Sequence, residues 1–202
     1  MSSDPTKDEC FPLAYITDMK KVYREAIEIL KKSRIISVIP VNNPGDVMMS
    51  LVYMCTEKEV FLFDILRFGQ NQLPKELYDI IMCDKIQKVV YTQTTTSAAL
   101  GLDDTVSIPN VYDVEIYAVT LRQKMIDRVN YIRETYGIEL MPENFELPML
   151  EYLPMTTQPR LADVDWTVRP FQANEHFKIA QHFFQFISLF EQMKRSVGEL
   201  AV

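Results

Sequence analysis

Two histidines, three cysteines and a run of hydroxyls are the side chains of this 202-residue sequence whose types most readily do chemistry. His176 and His182 stand six apart on one predicted helix, which turns them to different faces. They do not make a metal pair and read as surface or partly buried side chains. Cys10, Cys55 and Cys83 are far apart, odd in number and never spaced as C-x-x-C, so neither a disulfide framework nor a zinc site is expected. The run Thr92-Gln93-Thr94-Thr95-Thr96-Ser97 could cradle a phosphate, but it has no glycine or lysine of the P-loop kind. No Ser/His/Asp or Cys/His arrangement has supporting local context. The densest basic run, Lys20, Lys21, Arg24, Lys31 and Lys32 with Arg34, could contact RNA, but such a run reads first as the solvated face of an amphipathic helix.

With 48% apolar and 24% charged residues, the chain has the balance of a globular domain with a full core. At this length no metal or disulfide is needed for folding. The 21 basic and 28 acidic residues give a formal net charge of -7, which disfavours strong nonspecific binding to a polyanion. Any nucleic-acid contact must then come from a local patch. Met1 to Cys10 has no apolar core of the signal-peptide type, and no apolar stretch reaches the roughly 18 residues of a membrane span. A protein of the cytoplasm, perinuclear granules included, or of the nucleus is expected, neither secreted nor held at a membrane.

The elements that must position these residues follow from periodicity. A helix is predicted from Thr17-Asp18 to about Lys32, with Val22, Ala26, Ile29 and Leu30 on its apolar side. Ile35 to Val41 reads as a strand buried on both faces, followed by a turn at Asn42-Asn43-Pro44-Gly45. Strands at Val47 to Cys55 and Val60 to Asp64, joined through Thr56-Glu57-Lys58-Glu59, complete an antiparallel meander. Then come a helix from Pro74 to about Met82, a strand at Lys88 to Tyr91, a helical turn at Thr96 to Leu100 and a short strand at Val106 to Ile108. Val111-Tyr112-Asp113 is expected to open a helix, with helical periodicity from Leu121 to Tyr136 and a stop at Gly137. Met141 to Arg160 carries four prolines and reads as irregular, its Met and aromatic residues suiting an interface or packing onto the domain. A last helix is predicted over Ala173 to Val197. Nothing divides the chain, so one domain over 15–197 is expected, with tails at 1–14 and 198–202.

Four segments sharpen the reading: Val60 to Ile65, Lys88 to Leu100, Val111 to Ala118, and Asp165-Trp166-Thr167-Val168-Arg169-Pro170-Phe171 followed by Ile179 to Phe183. Together they resemble the RNase D and Werner-type DEDD 3'-5' exonuclease domains, over about Tyr15 to Met193. The resemblance implies an α/β ribonuclease-H-like exonuclease fold: a mixed sheet, with an antiparallel three-strand meander plus parallel strands, flanked by helices. It makes Asp64, Asp113, Trp166, Arg169 and Pro170 motif residues of structural kind.

In that family four carboxylates hold two divalent cations, which need anionic oxygen ligands. The likeness puts Ile39 and Val41 where the first motif has Asp-x-Glu, Thr96 at the second motif's Asp, and Phe183 with Ile179 at the third motif's Asp and its helper Tyr. A one-residue shift of the first motif gives Pro40 and Asn42, which supply no carboxylate either. The expectation is a chain without metal, cofactor or catalysis. The sequence is most similar to the inactive exonuclease-domain members of the animal piRNA pathway. That implies a homodimeric adaptor with protein partners in an RNA-processing complex. The alternative is a non-cleaving single-strand RNA binder that uses the old groove and the basic residues of the first helix.

Overall fold

A computed structural model describes residues 12–42, 49–69, 72–103, 105–137, 167–169, 180, 183–184, 186–188 and 190–195. The expected features at Asn43 to Gly45, Met141 to Arg160, Trp166, Pro170, His176, Ile179 and His182 lie outside them, as do Cys10 and most of both tails.

Six strands form one sheet: β1 (Leu13–Ile16), β2 (Ile35–Val41), β3 (Leu51–Cys55), β4 (Val60–Asp64), β5 (Gln87–Val90) and β6 (Val111–Asp113), in the order β1-β4-β3-β2-β5-β6. The expected meander is present, because β3 pairs antiparallel with both β2 and β4. Its hairpin is tight for a local reason: Thr56 Oγ1 accepts from Lys58 N at 3.2 Å and Glu59 N at 3.0 Å. The pairs β1-β4, β2-β5 and β5-β6 are parallel, which gives the mixed sheet the sequence implied.

Side chains alternate across the sheet, so each face builds its own core. One face carries Ile35, Val41, Tyr53, Leu62 and Val89 against the helical residues Phe183, Phe186, Ile187, Phe190 and Met193. The other carries Ile36, Val38, Met54 and Phe63 against the helices α1 (Lys21–Lys32) and α2 (Lys75–Ile81). Two more helices, α3 (Gln93–Ala99) and α4 (Val114–Tyr136), follow β5 and β6.

Several expectations need correction. α1 starts at Lys21, and Asp18 instead accepts from Lys20 N at 3.0 Å just before it. Its buried residues are Tyr23, Ala26, Ile27 and Leu30, an i, i+3, i+4, i+7 set; Val22 and Ile29, expected inside, face solvent. Leu13–Ile16, whose first two residues fall in the expected tail, is a strand because it pairs with β4 from Val60 to Phe63. Val106 to Ile108 is not a strand; Val106 N instead closes a turn onto Asp103 O at 2.8 Å. Val111–Asp113 is the strand, and the helix begins one residue later, at Val114. That helix runs unbroken to Tyr136 and stops at Gly137, whose φ of 65° is the left-handed cap that glycine accepts without strain.

Candidate functional site

β2 is central in the sheet, and its far end is where the motif likeness places the Asp and Glu positions of the first motif. Val41 is buried, and Ile39 is half-buried against the same cluster. Ile39 sits opposite Tyr53 in the β2-β3 register, and the fully buried Tyr53 ring meets the Phe183 ring edge-on at 5.0 Å between centroids. Ile39, Val41 and Phe183, distant in sequence, therefore share one apolar cluster. Thr96 is buried on α3, which packs on β2, and Asn42 Nδ2 reaches Ala99 O at 3.4 Å across that junction.

Burial pushes the Tyr53 hydroxyl well above its ordinary range. A place that penalises even a phenolate is poor for carboxylates, and its side chains offer paired cations no anionic oxygen. The residues at Ile39, Val41 and Phe183 do not fit a metal pair. Among the described residues, no three His, Cys, Asp or Glu side chains converge as a metal site.

The acids that do lie nearby are otherwise engaged. Asp64, fully buried at the end of β4, accepts Arg169 Nε at 2.6 Å and Nη2 at 2.8 Å, and also Tyr15 Oη and Arg67 N. It ties β1 and the 167–169 segment to the sheet through a bidentate, charge-assisted pair. Asp113 caps two helices: one oxygen accepts Glu115 N and Ile116 N at the start of α4, the other accepts Gln93 N at 2.7 Å at the start of α3. The hydroxyl run forms α3 itself, with Thr92 Oγ1 donating to Glu115 Oε2 at 2.7 Å.

The basic residues of α1 lie elsewhere. α1 covers the face opposite the Phe183 cluster, and Lys20, Lys21 and Lys31 pair with Asp18, Glu25 and Glu28 at 3.1, 3.7 and 3.5 Å. The structure does not bring Lys20, Lys21, Arg24, Lys31 and Lys32 together with Ile39, Val41, Thr96 and Phe183.

Two residues escaped notice in the sequence. Tyr53 fills the cluster, with the unbroken apolar run Leu51-Val52-Tyr53-Met54-Cys55 as its sequence signal. Lys88, known only as a motif match, is fully buried and donates to Cys83 O at 2.6 Å and Ile86 O at 2.8 Å. Burial lowers its ammonium below the usual lysine range.

The order of strands, the meander and the closing helical segment define an α/β domain of the ribonuclease-H-like exonuclease fold. No protein-family profile and no curated protein matches the sequence. Solved structures do. The Aedes aegypti Nibbler EXO domain superposes with a TM-score of 0.61 at 14% identity, over 98% of this chain and 94% of its own. Escherichia coli RNase D, an exoribonuclease involved in structured RNA processing, gives 0.61 at 11% identity over 94% of this chain. The catalytic core of Trypanosoma brucei RRP6 gives 0.56 at 16% over 91%. This chain spans 46% of the length of each of the last two. Identities so low establish the shared fold and nothing further. Among the described residues no helix is long and apolar enough to cross a membrane.

Proposed function

We propose that this chain is a non-cleaving exonuclease-like scaffold that serves as a homodimeric protein-interaction adaptor in an RNA-processing complex. The sequence likeness points to germline small-RNA biogenesis as the setting. One observation carries the reading: Ile39, Val41, Tyr53 and Phe183 pack into a single apolar cluster where the motif likeness would put metal-binding acids. In-line phosphodiester hydrolysis in this fold type draws on paired cations, and these side chains give them no ligands. A scaffold that keeps its core while its reaction centre is apolar is suited to binding rather than turnover.

The groove-binding alternative is not favoured by the geometry, because the α1 lysines it relied on are on the other face and largely ion-paired. Sedimentation velocity across the micromolar range tests the adaptor reading. A reversible or stable dimer is the expected result, and a strictly monomeric species throughout would contradict it.

A further inference from the structure

Tyr117, Lys124, Arg128 and Tyr131 recur along α4 at i, i+7, i+11 and i+14, a spacing that keeps them on one line of the helix about 21 Å long. Tyr131 is 53% exposed, Arg128 is exposed, and Lys124 and Tyr117 are half-exposed. The Arg128 guanidinium sits 5.8 Å from the centroid of the Tyr131 ring, and Tyr117 is backed by a 3.6 Å stack on Tyr112.

On α1, Lys21 and Lys31 pair with Glu25 and Glu28. Among the described residues neither Lys124 nor Arg128 makes an ion pair, nor do Arg122 and Arg133 on the same helix. Asp127 lies on the neighbouring line and takes a hydrogen bond from Gln123 Nε2 at 2.9 Å. In a chain of net charge -7, these are cations that pair with no carboxylate among the described residues, interleaved with aromatic rings. A single strand offers the complement of both: phosphates for the cations and bases for the rings. An acidic peptide would use the charges and leave the rings idle.

We propose that this line of α4 binds single-stranded nucleic acid, with Lys124 and Arg128 on phosphates and Tyr131 stacking on a base. This goes beyond the adaptor reading, which stands or falls separately on the dimer measurement.

The test is fluorescence anisotropy of the full chain with short labelled single strands, one arm RNA and one DNA, over a salt series. The K124Q/R128Q double variant should lower the slope of log affinity against log salt by about 1.4, from about 0.7 per lost phosphate contact. Tyr131→Ala should weaken binding by about ten-fold with the slope unchanged, and Tyr131→Phe should bind as the native chain does. K31Q/K32Q on α1 should change nothing. Preference for the RNA arm would assign the ligand as RNA, and equal affinity would assign single strands in general; both support the proposal. It is overturned by no binding at low salt, by a slope that the α4 double variant leaves unchanged, or by Tyr131→Ala binding like the native chain.

Discussion

Arg169 and Asp64 stand 105 residues apart in the chain and meet through two hydrogen bonds of 2.6 and 2.8 Å, with Asp64 fully buried. The pair joins the segment before the closing helical residues to the end of β4, and Tyr15 Oη adds the edge strand β1 to the same carboxylate. A buried carboxylate is tolerated because it is saturated with donors.

Removing one partner leaves the other charge buried and unpaired. Arg169→Met is expected to cost about 3–5 kcal/mol in urea unfolding, and Arg169→Lys recovers only part because it cannot make the fork. Adding Asp64→Asn to Arg169→Met should cost less than the sum of the singles. Strict additivity would show that the pair does not couple.

Asp113 satisfies three helix-start amides at once. Asp113→Ala should therefore destabilise by about 2 kcal/mol or more, beyond a single cap, and amide exchange should quicken at the starts of both α3 and α4. Faster exchange confined to α4 would show that Gln93 does not depend on this carboxylate.

The Cys55 thiol is fully buried, and burial pushes it up to about 12 from an ordinary 9.0. Its neutral form is favoured in the folded state, so this contribution is intact below pH 9.0 and is lost as pH rises toward 12. Burial raises the Tyr53 and Tyr112 hydroxyls too, so they act in the same direction above pH 10.0. Lys88, with its ammonium disfavoured by burial, acts in the opposite direction. Urea midpoints measured from pH 7 upward should fall beyond pH 9.0, and Cys55→Ala should reduce the initial slope. A flat profile would be inconsistent with these shifts.

Phe183→Ala should cost about 3–5 kcal/mol, since the ring is buried against Tyr53 and Phe186. Val41→Asp should cost about 3 kcal/mol by placing an unpaired acid in the same cluster, without creating nuclease activity. Little change in the thermal midpoint of either variant would mean that the cluster is loosely packed.

Much of the fold was legible because the strands announce themselves locally. Val60–Asp64 was found to the residue, since turn chemistry at Thr56 and an unbroken apolar run bracket it. The β6-α4 boundary was missed because Asp113 belongs to both elements, ending a strand while capping a helix. β1 was missed because four residues carry no periodicity, and only pairing with β4 makes them a strand. The rotation of α1 escaped because Val22 and Ile29 are apolar yet face water, while Tyr23 is drawn in by edge contacts with Phe63 and Phe68. At the site, the apolar identities of Ile39, Val41 and Phe183 were readable. That Tyr53 joins them, and that the α1 lysines lie behind the sheet, required the register and the layering.

Ile39, Val41, Tyr53 and Phe183 offer paired cations no anionic oxygen. The most direct measurement is incubation of the full chain with an end-labelled single-stranded RNA under magnesium and, separately, manganese, each with and without a chelator. Intact RNA in every lane is the predicted result. Stepwise 3' shortening that the chelator abolishes would contradict it.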